Sequence, residues 1–492
     1  MRHRGFMVRA HALASSLGAR QLARVTCLHQ RRLYLKKNEK AAQRLGHREL
    51  GVKQELFTMS EYSPGSPIFL PNGTIVFNRL VNFLRRQYVH YGFQEVITPT
   101  MYKKSLWERS GHLANFGNDM YSIKSSASRR GSCCSGKQAT EEDEAQEFAM
   151  KPMNCPGHCL IFKSKIRSYR DLPIRYADFG TLHRNEASGT LTGMTRVRRF
   201  HQDDGHIFCR PCQVEQEIKR TLEFVKAVYS VLNLGVSYRL LLSTRPEKHW
   251  IGRVEEWDRA ENSLKRALDE SGMEWSTNPG QGAFYGPKID IVLKDDMDKE
   301  HQTATVQLDF QMPKLFELEY SAPAPELEAR GEETEDAELR ARYGPVQPVM
   351  IHRAVLGSVE RLMAILMENF QGKWPFWLNP KQVIILTINT SAPVLDWARE
   401  SRDVLLGIKP DKQVASGTNG IVSPTGLEVD LDITARALGA KIRDAWTRGY
   451  GEIIVVGEDD VANKQVSLKE GKERMSPQEM RERLCARVDR ME

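Results

Sequence analysis

The segment 199–208 (RFHQDDGHIF) limits what this chain can fold into more than any other stretch of it. Successive side chains of a β-strand point to opposite faces, so one face of this segment would carry an aromatic ring, an amide, a carboxylate and an imidazole. Those residues are Phe200, Gln202, Asp204 and His206. Such a face makes a poor core and a good floor for a polar ligand. The alternative is a solvated strand face, against which Ile207 and Phe208 argue because they would anchor the strand.

Two later segments repeat this arrangement. Segment 303–310 would place polar residues on one face and apolar residues on the core face. The polar ones are Thr305, Gln307 and Asp309, and the apolar ones are Val306, Leu308 and Phe310. Segment 348–352 is predicted to be a strand that ends in His352, with Arg353 beside it. The three segments together predict a sheet whose polar face collects side chains from several strands.

Arginine accompanies a strand or a helix start at three places. Arg184 follows a short predicted strand, 195–199 carries three arginines after the flexible stretch 187–194, and Arg361 lies in a helix that Gly357 opens. A guanidinium is a planar, permanently charged partner for phosphate oxygens, and a glycine-led helix start suits the same ligand. A single arginine is more often an ordinary surface residue, but three such elements favour an anionic ligand.

The predicted elements divide the chain near Pro380. Before it, a short helical lead-in at 45–60 precedes a helix over 75–91. Segments 122–148 and 323–338 are expected to be exposed loops because they are polar and acidic. After it, strands alternate with helices, which indicates a separate small α/β domain. Its predicted elements are 382–388, 392–406, 427–433, 434–449, 452–456 and 476–490.

The positive charge of the chain is concentrated at its start. The formal net charge is +8, yet nine Lys and Arg residues precede the first acidic residue, Glu39. The remainder is nearly neutral, so bulk charge does not indicate RNA binding. An arginine-rich, acid-free start is typical of a mitochondrial presequence, expected over 1–34 with cleavage after Tyr34; a basic RNA-binding arm is the alternative. No apolar run approaches the ~18 residues of a membrane span.

The cysteines offer one metal-site hypothesis on spacing alone. Two close pairs would together make a four-cysteine structural site. Its ligands would be Cys155, Cys159, Cys209 and Cys212. In a mitochondrial protein, reduced thiols or metal ligands are favoured over disulfides.

These segments resemble the signature motifs of the class II aminoacyl-tRNA synthetases, and among them those of the threonyl-tRNA synthetases. Motif 1 would end at Pro99, motif 2 would run from Arg184 through Phe200, and motif 3 would span 357–361. The match to the threonyl enzymes comes from five runs: MNCPGH (153–158), QDDGH (202–206), FYGPK (284–288), TVQLD (305–309) and MIHR (350–353). The resemblance extends from about residue 50 to the C-terminus and weakens after 380. Each motif alone is weak, but all of them in this order are specific.

The resemblance implies a zinc site that binds threonine. One zinc per chain would be held by Cys155, His206 and His352, with an open position for the substrate's amino group and hydroxyl. The rest of the pocket would comprise Met153, Gln202, Asp204, Tyr285 and Gln307. A site that reads a hydroxyl rejects valine, an isostere without one, by ~10⁴ or more.

It also implies how ATP binds, bent and with Mg²⁺. Arg184 would hold the α-phosphate and Arg361 the γ-phosphate. Glu186 would hold the adenine amino group, and Phe200 would stack on the ring. Further contacts would come from Arg196, Gln302, Thr305 and Ser358. Catalytic roles would fall on Arg184, Arg361, His112 and Lys288, with His112 near the transfer to tRNA.

The implied fold is α+β: a catalytic domain over 45–378, built on an antiparallel sheet flanked by helices, and a small α/β anticodon-binding domain over 379–492. In the latter, the cations placed to meet RNA are Lys441, Arg443 and Arg448, although a solvated face is the commoner explanation. Lys469 lies where relatives carry a more basic run. Glu470 and the insertion at 410–426 depart from the family pattern.

The expected partners are tRNA(Thr), L-threonine and ATP. The expected setting is a homodimer in the mitochondrial matrix without membrane contact. Bacterial and cytosolic relatives begin with an editing domain, for which the ~50 residues before the catalytic pattern are too few. This plan resembles that of fungal mitochondrial members.

Three other functions stay open on the sequence. A synthetase-like accessory protein would be expected to have lost motif arginines or metal ligands, but all of these residues are present in this sequence. A class II synthetase for serine or proline is disfavoured by the cysteine and the two histidines on these strands. A zinc hydrolase or deaminase would need a His-x-Glu pattern with Pro-Cys-x-x-Cys, and the run CRPC at 209–212 lacks that arrangement.

Overall fold

The computed structural model describes residues 44–124, 147–234, 238–294, 300–408, 424–468 and 473–492. The predicted presequence, most of the predicted insertions at 122–148 and 410–426, and Lys469 with Glu470 lie outside these ranges. The chain separates into Met1–Gly46 and His47–Glu492, and the helices and strands described below belong to the second unit. Within the described ranges, no helix combines the length and the hydropathy that a membrane span requires.

The strands of the described residues are as follows, in chain order. They are β1 Phe57–Thr58, β2 Ile68–Phe69, β3 Gln94–Glu95, β4 Met101–Lys103, β5 Ser122–Ile123, β6 Phe148–Met150, β7 Ile174–Asp178, β8 Thr181–His183, β9 Arg199–Cys209, β10 Tyr238–Ser243, β11 Trp275–Asn278, β12 Lys288–Lys294, β13 Glu300–Asp309, β14 Tyr320–Pro323, β15 Tyr343–Val346, β16 Val349–Ser358, β17 Val383–Thr387, β18 Val429–Asp432, β19 Glu452–Val456, β20 Val466–Leu468 and β21 Arg474–Met475.

The α-helices of the same residues flank these strands. They are His47–Lys53, Pro71–Tyr91, Lys104–Arg109, His112–Phe116, Cys155–Lys163, Val214–Val231, Val254–Ser271, Gln311–Leu315, Pro325–Glu328, Ala337–Arg340, Val359–Phe370, Ala392–Leu406, Leu438–Thr447, Glu458–Asn463 and Pro477–Asp489. The helix predicted over 75–91 begins four residues earlier, at Pro71. Proline is well suited to the first position of a helix, because the backbone N–H that it lacks would have no hydrogen-bond partner there.

The central sheet runs in the order β11-β10-β12-β13-β16-β9-β7-β3, with β8 paired to β9. The strands from β10 through β12, β13, β16 and β9 to β7 are antiparallel to their neighbours. The end pairs β10–β11 and β3–β7 are parallel. The predicted antiparallel sheet is thus confirmed in its core, where the three segments with alternating side chains lie side by side.

Arg353 is on the opposite face of this sheet from His352. The predicted strand end at His352 is wrong, because β16 continues to Ser358. Arg353 therefore points away from the polar face; its Nη1 lies 3.1 Å from Asp203 Oδ2, and both side chains are fully buried. Aromatic rings cover the guanidinium, with the centre of the Phe93 ring 4.2 Å from its Cζ. Arg353 is a structural cation and is not available to a phosphate.

The C-terminal part contains a second sheet, in the order β18-β17-β19-β20-β21. The predicted strands and helices are present, but the helix predicted over 434–449 is shortened to Leu438–Thr447. A helix at Glu458–Asn463 and the hairpin of β20 and β21 were not predicted.

Lys441, predicted to meet RNA, is buried in this domain. Its Nζ donates hydrogen bonds to the carbonyl oxygens of Thr387 (2.9 Å) and Asp432 (3.1 Å). The prediction is wrong for Lys441, because the helix turns that side chain toward the sheet. Arg443 and Arg448 are exposed.

Two further loop predictions need correction. Segment 323–338 contains the short helices Pro325–Glu328 and Ala337–Arg340, and Glu328 is buried between Arg210 and Tyr320, accepting hydrogen bonds of 2.6 Å from each. At the borders of 122–148, Ser122 pairs with Ala149 in a small three-stranded sheet.

The prediction for Phe310 also needs correction. Phe310 was expected on the core face of its strand, but it is half-buried at the start of the helix that follows β13.

Candidate active site and metal cluster

The register of the central strands aligns the polar positions predicted from sequence. Gln307 of β13 pairs with His352 of β16, and His352 pairs with His206 of β9. Lys288 of β12 lies opposite Gln307. Paired residues on neighbouring strands share a face, so these four side chains form one row across the sheet. A second row, two residues along, contains Asp290, Thr305 and Asp204.

Three side chains of types that can bind a metal converge on the first row. Cys155, at the start of the helix Cys155–Lys163, joins His206 and His352 there. The Cys155 sulfur and one nitrogen of each imidazole lie within 4.8 Å of one another, and all three residues are buried. One thiol and two imidazoles are donors that Zn²⁺ prefers. The residues present therefore fit the predicted zinc site.

Hydrogen bonds orient both imidazoles toward this cluster. His206 Nε2 and His352 Nδ1 are 3.0 Å apart and face each other. The remaining nitrogens are engaged elsewhere: His206 Nδ1 lies 2.7 Å from His158 Nδ1, and His352 Nε2 lies 2.8 Å from Asp309 Oδ2. Such partners fix the ring orientation of metal-binding histidines. No role was predicted for His158 or Asp309, although the helical spacing of Cys155 and His158 could have signalled one.

The four-cysteine site is not formed. Cys159 contacts Met350, with the two sulfurs 3.8 Å apart, and Cys212 is exposed while Cys209 is buried. In the described ranges the only cluster of three or more potential ligands is the one at Cys155. Burial raises the pKa of the Cys159 and Cys209 thiols, which keeps them neutral.

The residues predicted to form the threonine pocket lie around Cys155, His206 and His352. The Tyr285 ring stacks on the His352 ring with centroids 5.0 Å apart, and its hydroxyl donates to Gln307 Oε1. The buried Asp204 places Oδ1 3.8 Å from His206 Nε2. Met153 packs on the apolar cluster that contains Cys155. Polar groups therefore approach the three potential metal ligands from two strands, β9 and β13, and from the loop that carries Tyr285.

A cavity of about 430 Å³ lies beside this pocket, over the second row. All eight residues predicted to hold ATP line it. They are Arg184, Glu186, Arg196, Phe200, Gln302, Thr305, Ser358 and Arg361. Gln202 also lines the cavity and so connects it to the threonine pocket.

The cavity holds more cationic charge than its carboxylates balance. Arg196 is paired with Glu186 at 2.7 Å. In the described part of the chain, Arg184 and Arg361 have no ion pair; Arg361 Nε donates to the Thr195 carbonyl (2.9 Å), and Arg184 Nε to the Pro152 carbonyl (3.3 Å). Burial lowers the pKa of Arg361, and repulsion by Arg184 and Arg196 lowers it further. An anionic ligand would relieve this repulsion.

The helix start at the cavity is fixed by its sequence. Gly357 has φ +65°, and a Cβ there would lie 2.4 Å from the Thr303 carbonyl oxygen, so only glycine fits. The Ser358 side chain caps the helix Val359–Phe370 by accepting a hydrogen bond from the Arg361 N–H. His201 donates its backbone N–H to Glu360 (3.0 Å), which joins β9 to this helix. These contacts hold Arg361 at the cavity wall.

Two predicted catalytic residues lie outside the cavity. His112 is buried, with Nε2 3.5 Å from Cys155 Sγ and Nδ1 2.8 Å from Ser110 Oγ. Burial lowers the pKa of His112 to about 4. Lys288 Nζ lies 2.9 Å from Asp290 Oδ2, at the edge of the first row. Their catalytic roles stay predictions.

Comparison with known proteins gives a consistent result. The family model of the class II tRNA synthetase core domain (G, H, P, S and T) matches residues 139–330, and that of the anticodon binding domain matches 382–486. The mitochondrial threonine–tRNA ligase of Saccharomyces cerevisiae is 42% identical over 435 residues, covering 86% of each chain. Mitochondrial threonine–tRNA ligase 1 of Arabidopsis thaliana is 47% identical over 428 residues, and the match spans about half (52%) of its length. A crystal structure described as the RNA binding domain of threonyl-tRNA synthetase from Cryptosporidium parvum superposes with a TM-score of 0.74 at 39% identity, covering 90% of this chain and 98% of that one.

Proposed function

The chain belongs to the threonine–tRNA ligases of class II, and we propose that it joins L-threonine to tRNA(Thr) through a threonyl-adenylate, for translation in the mitochondrial matrix. The observation that carries the proposal is one sheet face that holds both the Cys155, His206 and His352 cluster and the arginine-rich cavity. An amino acid held at the first would present its carboxylate toward a nucleotide held in the second.

The first step is attack of the threonine carboxylate oxygen on the α-phosphorus of ATP. A bond forms between the carboxylate oxygen and the α-phosphorus, the bond from the α-phosphorus to the oxygen that bridges to the β-phosphate breaks, and pyrophosphate leaves; Mg²⁺ would offset its charge. Arg184 and Arg361 are the two cavity guanidiniums without a carboxylate partner in the described residues, so their charge is available to the phosphates. Positioning and charge neutralisation do most of the work in such a transfer.

The threonine side of the site depends on a metal in this proposal. Cys155, His206 and His352 would hold Zn²⁺, which supplies a Lewis-acid position for the amino group and hydroxyl of threonine. Asp204, Gln202, Tyr285 and Gln307 would accept or donate the remaining hydrogen bonds of the substrate. In the second step the adenylate's carbonyl carbon is attacked by the terminal ribose hydroxyl of tRNA and AMP leaves; His112 and Lys288 are proposed to assist.

We extend the proposal to the rest of the chain along the predicted boundaries. Residues 45–378 would form the catalytic domain and 379–492 the anticodon-binding domain, with Arg443 and Arg448 as its exposed cations. The proposed homodimer is supported by exposed apolar side chains next to motif 1, Val89 (82% exposed) and Ile97 (92%). The mass of the protein in solution tests this point.

The phosphate assignment is tested by replacing the two arginines. We expect Arg184→Ala and Arg361→Ala each to slow threonine-dependent ATP–pyrophosphate exchange by ~10² or more, because each removes charge that the developing phosphate charge needs. Arg443→Ala, an exposed arginine in the C-terminal domain, is the matched control and should leave exchange unchanged. Exchange that survives both cavity substitutions would contradict the assignment, and exchange that another amino acid stimulates better than threonine would contradict the function.

The location is tested with the N-terminal segment. We expect residues 1–34, fused to a fluorescent protein, to carry it into mitochondria, because the segment is rich in arginine and lacks acid. The N-terminus of the imported protein, read by mass spectrometry, should lie near Leu35. Arg-to-Gln changes throughout the segment are the control and should leave the reporter in the cytosol. A reporter that reaches the nucleus instead would favour the RNA-binding-arm alternative.

A further inference from the structure

His47 joins two elements of the ATP cavity although it lies outside the motifs identified in the sequence. It is the first residue of the helix His47–Lys53. Its Nδ1 lies 2.7 Å from Glu368 Oε1, on the helix Val359–Phe370 that carries Arg361. Its Nε2 accepts a hydrogen bond from the Met194 N–H at 3.2 Å, on the loop that precedes Arg196. A single imidazole thus bridges the two segments that bring these arginines to the cavity.

The chemistry of both partners fixes the form of this imidazole. A carboxylate only accepts hydrogen bonds, so Nδ1 must carry the proton; a backbone N–H only donates, so Nε2 must be unprotonated. The contact is close and largely shielded, since the His47 side chain is 12% exposed and Met194 is fully buried. A Cβ placed on Gly193 would lie 2.1 Å from Nε2, which shows how tightly the loop sits against the ring.

The loop is held at a second point by the cavity itself. Arg361 Nε donates to the carbonyl of Thr195, the residue after Met194. That hydrogen bond uses only Nε of the guanidinium, whose other N–H groups can face a phosphate at the same time. The bond from His47 to Met194 uses no group that lines the cavity. It therefore holds the loop from outside the cavity, whatever the cavity binds.

We propose that His47 is a positioning residue for ATP, which holds the Arg196 loop in register with the Arg361 helix. The inference rests on the proposed function, because it assigns the cavity to ATP. Its consequence is specific: loss of the bridge weakens ATP binding while the threonine pocket, built from other strands, is unaffected.

Three variants separate positioning from packing. His47→Ala removes both bonds of the ring. His47→Asn keeps a donor near Nδ1 but no acceptor near Nε2, whereas His47→Gln places an uncharged carbonyl acceptor near Nε2. The backbone N–H of residue 47, which donates to Glu368 Oε1 at 3.0 Å, is retained in all three. We expect the KM for ATP to rise about 10-fold in the Asn variant, the scale of one lost hydrogen bond, and at least as much in the Ala variant, which loses both ring bonds. It should return toward the wild-type value in the Gln variant.

Pyrophosphate exchange on the full chain, with the KM for ATP and the KM for threonine both measured, decides the question. A raised KM for ATP with an unchanged KM for threonine, restored by Gln, supports the inference. An unchanged KM for ATP in His47→Ala overturns it, as does a Gln variant that behaves like Ala. Should the wild type show no threonine-dependent exchange, the proposed function itself fails, which is a distinguishable result.

Discussion

Cys155→Ala should remove the bound zinc and threonine activation together. The thiol is one of three donors whose ligand atoms lie within 4.8 Å of one another, and two imidazoles alone leave the metal with an incomplete set. Burial raises the pKa of the Cys155 thiol, so it stays neutral until a cation displaces its proton. We expect the purified protein to hold about one zinc per chain, and the variant to hold almost none.

The measurement pairs metal content with threonine-dependent pyrophosphate exchange. Cys209→Ala is a matched control, because Cys209 is buried in the same sheet, one strand residue beyond Phe208, but contributes nothing to the cluster. A folded Cys209→Ala variant should keep zinc and activity. If Cys209→Ala lost the metal and Cys155→Ala retained it, the four-cysteine hypothesis would be correct after all. Circular dichroism of both variants separates loss of metal from loss of fold.

Serine should be activated far better than valine. The pocket as assigned reads a hydroxyl through the metal cluster and through the polar groups of Asp204, Tyr285 and Gln307. Valine leaves those groups unpaired, and a site built for a hydroxyl rejects such an analogue by ~10⁴ or more. Serine keeps the hydroxyl and lacks one methyl, which costs roughly 1–3 kcal/mol or about 10–200-fold. The same pocket is therefore expected to reject valine strongly and serine only weakly.

Exchange kinetics with the three amino acids measure this order. ATP consumption with serine, without and with tRNA, shows whether seryl-adenylate is released or hydrolysed at the synthetic site. Deacylation of preformed Ser-tRNA by the chain provides the companion assay. Valine activation comparable to that of serine would contradict the hydroxyl-reading pocket, and rapid deacylation of Ser-tRNA would reveal an editing site elsewhere in this chain.

Sequence periodicity determined the strands that carry chemistry and the faces of their side chains. Alternation is local: a strand's backbone decides that Gln202, Asp204 and His206 share a face wherever the strand is placed. For the same reason a polar sheet face could be predicted from 199–208 and 303–310 before any contact was known, whereas the antiparallel arrangement was implied by the family resemblance. The resemblance to the threonyl-tRNA synthetases then selected Cys155, His206 and His352 over the four cysteines, and the geometry fits that selection.

Local pattern could not decide which way a residue faces once its element docks. Lys441 and Arg443 lie two residues apart on one helix, and packing on the sheet buried the first and left the second exposed. Arg353 follows His352 in sequence, yet the pleat sends it to the other face, where Asp203 and aromatic rings enclose it. In both cases the cation is structural, because the folded chain places buried acceptors beside it: the Asp203 carboxylate for Arg353 and the Thr387 and Asp432 carbonyls for Lys441.

Contacts between distant parts of the chain were decided only by the tertiary structure. His206 and His352 meet across 146 residues, and His47 reaches Glu368 across 321. Such pairings are set by strand register and by the way helices dock on the sheet. Both depend on the packing of the whole core, which cannot be read from the pattern of a single segment. The sequence by itself therefore determined which chemical groups were available and on which face of their strands. The fold alone decided which of them meet, and so placed His158, Asp309 and His47 beside the groups that the motifs supply.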